Sequence, residues 1–311
     1  MILKRLKNSD FILIIFFLIF AILFFIPSYL SQESHSAISN KAFNPIILLI
    51  ISCLITYLHS IGLNNLIYEK DIIKRPNLIV PFVFLLLTTP FNIDINMIIY
   101  SFGCLFFLNY ILKIYKNIRP DSVYFNSSVI LSCISIVFPY IFYLAPLIYF
   151  SGIIFRNINW KHLIISVIGG LVPYIFLYAY QLYFNKQLDF IIELNKSSNF
   201  LNLNTLNPHE KLWYLCVMII ILFSFIELFK WIYKKSIRSR ESFMIIILYV
   251  VLTTIVFFVS NSSTTIYLSL SPLSIIIANF FIYHKRIIIS ESLFIIFVFS
   301  SIYYRISMIY L

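Results

Sequence analysis

Charge is scarce in this chain. Of 311 residues only 11% are Asp, Glu, Lys or Arg, and 12 acidic residues stand against 23 Lys and Arg. With 61% hydrophobic residues and a mean hydropathy of +0.95, a soluble fold of this length could not hide its apolar surface. Glycines number 5, and no Gly-rich phosphate loop, HExxH or GxSxG occurs, so no motif names a reaction or a cofactor. The four cysteines, Cys53, Cys104, Cys133 and Cys216, lie in different apolar segments without a CxxC. No disulfide framework follows, and they read as small packing residues. Histidines number 5 and are spread over both membrane sides, which supports no iron-ligand set. Charged groups near a bilayer midplane are almost lacking, and a coupled transporter needs them. A transporter is therefore the third reading of function.

The apolar runs are continuous rather than alternating, which excludes a membrane barrel and points to an all-α polytopic transmembrane bundle. The most informative run is Ser127 to Phe155, uncharged over 29 residues. As one helix it would measure about 43 Å, against about 30 Å of hydrocarbon. Phe138-Pro139-Tyr140 breaks it, because proline removes a donor and disfavours helix before it. Lys113, Lys116 and Arg119 precede the run, and Arg156 and Lys161 follow it. Basic loops stay in the cytoplasm, so the run is expected to enter, turn near Pro139 and return.

Extended along the chain, this pattern gives one integral membrane domain, 1–311, of about 11 helices. The N-terminus is expected inside and the C-terminus outside, with short helix pairs three–four and five–six. Phe11–Leu30 is too long for a signal peptide and lacks a small-x-small site after it, so it reads as an uncleaved first helix. Residues 185–211 form the longest outer loop, partly amphipathic through Leu188, Ile191, Ile192 and Leu194. This topology puts 18 of the 23 Lys and Arg inside and 5 outside; a single crossing by 127–155 would give 13 and 10. The net charge of +11 thus orients the protein and implies no nucleic acid. The inner cluster Lys230, Lys234, Lys235, Arg238 and Arg240 is expected on anionic lipid headgroups, at about 1 kcal/mol each. Aromatics at helix ends, Tyr29, Tyr68, Trp160, Trp213, Trp231 and Tyr283, read as an interfacial belt.

Candidate chemistry lies on the outer side. Helix three, expected from about Leu78 to Pro90, is too short to reach the outer surface comfortably. The turns at Thr88–Asn96 and Phe138–Tyr140 are then recessed and need polar partners for their freed backbone groups. Thr88, Thr89, Asn92 and Asn96 on one side, and Tyr140 and Tyr143 on the other, would line a dent suited to a lipid-phosphate headgroup. Asp94 is the candidate base there, and Glu33 with His35 in the first outer loop offers a carboxylate–imidazole pair. Asp189, Glu193 and Glu210 read as solvated loop acids, and His59 as a hydrogen-bonding group between helices. Glu227 reads as an ion-pair partner of Lys230.

The stretch NIRPDSVYFNSS, the run FPYIFYLAPLIYFSGIIFR and then NWKHLIISVIGGLVPY resemble an uncharacterised domain-of-unknown-function family of multi-pass inner-membrane proteins of Bacteroidota. The resemblance covers roughly 76–184 and implies a location in the bacterial inner membrane, with no established activity. A more distant likeness is to GT-C glycosyltransferases, which take sugars from polyprenyl-phosphate carriers on the outer face. It rests on the short helix pairs, the basic inner loop and the Gly/Pro-containing helix after it. By position it implies Glu33 and Asp94 as the acidic residues, a polyprenyl-phosphate partner and a divalent metal. Departures are a short first loop, Glu where Asp is usual, no arginine in these outer loops, and no soluble C-terminal domain after them. The second reading is a non-enzymatic subunit that binds another envelope protein.

Overall fold

A computed structural model describes residues 2–7, 11–35, 45–75, 77–90, 95–184, 207–260 and 263–310. Among these residues there is no strand. The helices are α1 (Ile2–Leu6), α2 (Phe11–His35), α3 (Pro45–Glu69), α4 (Ile79–Leu87), α5 (Ile95–Lys113) and α6 (Asp121–Val137). They continue as α7 (Pro146–Ile154), α8 (Trp160–Phe184), α9 (Pro208–Trp231), α10 (Ile237–Ser260), α11 (Tyr267–Tyr283) and α12 (Ile287–Tyr310). A 3-10 helix, Pro139–Leu144, joins α6 to α7.

Among the described residues, six helices are long and apolar enough to cross a membrane: those spanning Leu49–Glu69, Ile95–Lys113, Trp160–Phe184, Pro208–Lys234, Ile237–Ser260 and Ile287–Ser307. An all-α chain with so many such helices has the make-up of a membrane protein, since helices satisfy their own backbone where water is absent. The expected helix ends need correction: α4 stops at Leu87, short of the expected Pro90, whereas longer helices run past their apolar stretches. α2 runs on past Leu30 through Ser31–His35, α10 takes in Arg238 and Arg240 in its first turn, and α12 carries Arg305 within it. Apolar runs mark hydrocarbon, whereas Gln, Glu and Arg are good helix formers and carry the helix beyond it. α1 is an addition, in a stretch the sequence presents only as a basic tail.

The chain forms two compact units. Unit 1 comprises Met1–Ile99, Leu201–Lys235 and Leu270–Leu311. α4 lies at its heart, with all nine residues buried. α3 packs on α4 and α2, and α12 packs on α9, α2 and α4. The Phe17 ring sits 4.8 Å from Phe82 and 5.6 Å from Tyr57. At the start of α4 the Asn77 side-chain oxygen accepts from the Ile79 and Val80 amides at 3.1 and 3.3 Å. The Leu78 amide donates to the Leu6 carbonyl at 2.9 Å, which ties α1 to α4.

Unit 2 comprises Tyr100–Phe200 and Ser236–Ser269. Its principal contact is α6 against α8. The helix breaks at Phe138 (φ −129°, ψ 88°), one residue before Pro139, as the loss of a donor there requires. The Tyr124 hydroxyl donates to the Asn157 carbonyl at 2.8 Å, so the start of α6 lies beside the end of α7.

Candidate functional site

The polar groups of unit 1 gather where α4 and α12 end and α9 begins. Pro90 has no N–H and leaves the Leu86 carbonyl without its helical donor. The Thr89 hydroxyl donates to that carbonyl, and the Thr88 hydroxyl donates to the Leu85 carbonyl at 2.6 Å. The Thr88 carbonyl accepts from Arg305 Nη2 at 3.0 Å. Arg305 is 2% exposed. Its guanidinium lies 4.9 Å from the Phe24 ring and 5.6 Å from Phe25. A cation at the carbonyl end of a short buried helix meets the negative end of its dipole, and aromatic faces offset part of its desolvation.

One residue back, the Tyr304 hydroxyl donates to Glu210 Oε1 at 3.3 Å. Glu210 Oε2 accepts from the Asn207 amide at 3.1 Å and closes the capping box of α9. Trp213 Nε1 donates to Ser301 Oγ at 3.1 Å. Glu210, expected as a solvated loop acid, is therefore part of the α9–α12 contact. Arg305 is the residue that sequence reasoning misses, because the arginine itself ends the apolar run and so reads as one of the five outer cations. Its position late in a helix that begins at Ile287 is the signal that could have found it.

Thr88 and Thr89 are both buried, with their hydroxyls committed to α4. Asn96, the second residue of α5, is exposed. Asn92 and Asp94 lie outside the described residues. Glu33 and His35 fall in the last turns of α2, a helix rather than the loop expected, and their side chains also lie outside the described set. Tyr140 and Tyr143 belong to unit 2, in the 3-10 helix; Tyr140 is half-buried and packs edge-on to Phe138 at 5.6 Å, and Tyr143 is exposed.

The basic cluster divides. Lys230 and Lys234 are exposed, with Lys234 5.9 Å from the Trp231 ring. Lys235 turns inward: its ammonium donates to Asn279 Oδ1 at 2.5 Å and lies 4.8 Å from the Tyr283 ring. Burial pushes the Lys235 pKa down to about 7. Arg238 and Arg240 are half-buried on α10, and Arg238 lies 5.5 Å from the Tyr115 ring. Of the five cations expected on lipid headgroups, Lys230 and Lys234 are thus exposed and the other three are partly buried. Glu227 faces His284, whose Nδ1 is 3.5 Å from Glu227 Oε2. His59 Nε2 lies 2.9 Å from Ser271 Oγ, the bond between helices expected of it.

Unit 2 carries a separate polar latch. Asp121 Oδ2 accepts from Lys161 at 2.5 Å, and Oδ1 lies 3.1 Å from His162 Nε2. The Asn159 amide donates to His162 Nδ1 at 3.2 Å, and the His162 ring stacks on Tyr124 at 4.8 Å. Both imidazole nitrogens are thus engaged, which suits a structural tie between the starts of α6 and α8 rather than proton transfer. Among the described residues no three His, Cys, Asp or Glu side chains form a group that could hold a metal.

An all-α membrane protein with a buried arginine at the end of a nine-residue helix is the class this geometry defines. Within that class, the chain belongs to DUF6427, a family of unknown function whose model matches residues 1–310. No curated protein and no solved structure matches it.

Proposed function

We propose that this is a multi-pass protein of the bacterial inner membrane whose Arg305 end faces outward and holds the anionic headgroup of a lipid-linked glycan precursor. The observation that carries the proposal is the place of Arg305. A charged residue inside a membrane helix is costly and marks a ligand or ion site more often than a lipid-facing surface. From Ile287, Arg305 lies about 27 Å along α12, close under the far headgroups of a ~30 Å hydrocarbon layer. Its side chain leans back toward the helix N-terminus and meets Thr88, the end of a helix only about 13 Å long. A recessed turn below a guanidinium suits a phosphate, which the planar fork of arginine matches in geometry. Arg305 also brings an arginine to the second outer turn, whose own loop lacks one.

The topology has support of its own. Points that the charge rule puts outside, Phe24, Thr88, Glu210 and Arg305, are drawn together by direct or shared contacts. Points it puts inside, Lys235 with Asn279 and Glu227 with His284, pair among themselves. The Tyr124–Asn157 hydrogen bond favours the return of 127–155 to the side it entered from. In this reading Asp94 is the candidate base, and Glu33 with His35 the accompanying carboxylate–imidazole pair.

Transfer from a polyprenyl-phosphate sugar by the purified full chain tests the enzyme. Asp94→Asn should abolish it while leaving the melting temperature unchanged. A second reading, a subunit that binds another envelope protein, draws on α8, where Phe176 is 73% and Tyr183 82% exposed. Tolerance of Asp94→Asn and Glu33→Gln in cells, with a membrane partner co-purifying through α8, would replace the first reading with the second.

A further inference from the structure

Between α6, α7 and α8 of unit 2 lies a cavity of about 320 Å³, at the small end of ligand-site volumes. Its walls include Leu131 and Ile148 on one side and Val167, Gly170 and Leu171 on the other. It exists because of a close crossing one residue away. A Cβ on Gly169 would lie 2.2 Å from Ser128 Oγ and 2.8 Å from the Phe125 carbonyl oxygen, so α8 meets α6 there nearly backbone to side chain. A Cβ on Gly170 would meet nothing within 4 Å. The two glycines therefore do different things: one brings the helices together, and the other leaves space beside the crossing.

The hydroxyls in the wall are already engaged within the protein. Ser128 donates to the Phe125 carbonyl at 2.8 Å, Ser132 to Val129 at 3.0 Å and Ser166 to Leu163 at 2.8 Å. The Tyr174 hydroxyl shares a 2.8 Å bond with Ser135, and that of Tyr149 lies 3.2 Å from Ser166. Buried water needs two to four polar partners, and little here is left to supply them. The cavity suits methylene groups better than a sugar or an ion. Phe142, Val167 and Leu171 line it and are also exposed, so its wall is continuous with the apolar outside of unit 2. Ser132 stands about 16 Å along α6 from Asp121, which is mid-depth for a ~30 Å hydrocarbon layer.

We propose that this cavity holds one acyl chain of a membrane phospholipid, admitted sideways past Phe142, Val167 and Leu171. The site is independent of the Arg305 end and of any reaction there. The full chain is reconstituted in phosphatidylcholine vesicles containing a phosphatidylcholine with a mid-chain diazirine, irradiated and mapped by peptide. Adducts should appear on the buried residues Leu131 or Ile148 as well as on exposed Phe176. Gly170→Leu fills the space, and adducts inside should then fall about tenfold while those on Phe176 persist. Labelling of Phe176 without labelling of Leu131 or Ile148 in the unaltered protein would overturn the proposal. So would undiminished inner labelling in a folded Gly170→Leu protein. Where that variant does not fold, the map of the unaltered protein decides.

Discussion

α4 and α8 are both apolar helices of one chain, yet one is buried on every side and the other is largely bare. α4, IVPFVFLLL, has no exposed residue. α8 buries His162, Ser166 and Gly169 and leaves Ile175, Phe176, Tyr178 and Tyr183 exposed. Lipid tails are as apolar as leucine, so hydropathy separates membrane from water but not a protein interior from a lipid-facing surface. Two other features separate them. Nine residues span about 13 Å and cannot cross a bilayer, so α4 must end inside protein. α8 concentrates its small and polar residues on the face that meets α6, which is how helices approach closely where the hydrophobic effect is absent.

The comparison breaks most easily at large side chains. Phe84, fully buried on α4 and 4.4 Å from the His59 ring, should cost about 3 kcal/mol as Phe84→Ala, chiefly through the cavity left behind. Phe176→Ala on α8 should cost less than about 0.5 kcal/mol. Equal losses of thermal stability in detergent would mean that α8 is packed as tightly as α4. Next in size is the contact face of α8 itself. Gly169→Val should destabilise by about 2 kcal/mol through overpacking against Ser128 and Phe125. Gly170→Ala, with open space beside it, should be neutral or slightly stabilising, since alanine favours helix over glycine by about 0.5–1 kcal/mol. A smaller effect, about 1 kcal/mol, is expected for Trp213→Phe, which removes a buried hydrogen bond to Ser301.

One effect is read through pH rather than through a lost contact. Lys235 is half-buried, and its pKa falls from 10.5 to about 7 through desolvation. Between those values the unfolded chain binds the proton and the folded one does not, so stability rises with pH from about 7 toward 10.5. Lys235→Gln should flatten that rise, whereas Lys234→Gln, at an exposed site, should leave it. Melting temperatures over this range read the difference, and parallel profiles for Lys235→Gln and the unaltered protein would contradict the inward placement.

Most of the helices were legible in the sequence because continuous apolar runs and proline breaks are local signals; the break at Phe138 falls where Pro139 demands it. Helix ends were less legible, because Gln32 and Glu33 in α2 and Arg238 in α10 continue helices that the hydropathy signal had ended. The partition of polar groups was not legible at all. Nothing local tells Lys235 from Lys234, or assigns Arg305 to Thr88, 217 residues away in the chain. Such pairings follow from which helices meet. At the candidate site the sequence could supply Thr88 and Thr89 by reasoning about Pro90, but not the arginine beside them.

Binding at Arg305 tests the functional account most directly. The purified full chain, in detergent, is titrated with a polyprenyl phosphate, alongside Arg305→Gln and Arg305→Lys. Glutamine retains a donor for the Thr88 carbonyl but carries no charge. The account predicts a saturable complex with the unaltered protein, weakened about tenfold or more by Arg305→Gln, because a hydrogen bond to a charged group contributes about 1.5–3 kcal/mol. Arg305→Lys should fall between the two, keeping the charge and losing the fork. Equal affinity for the unaltered protein and a folded Arg305→Gln variant would contradict it.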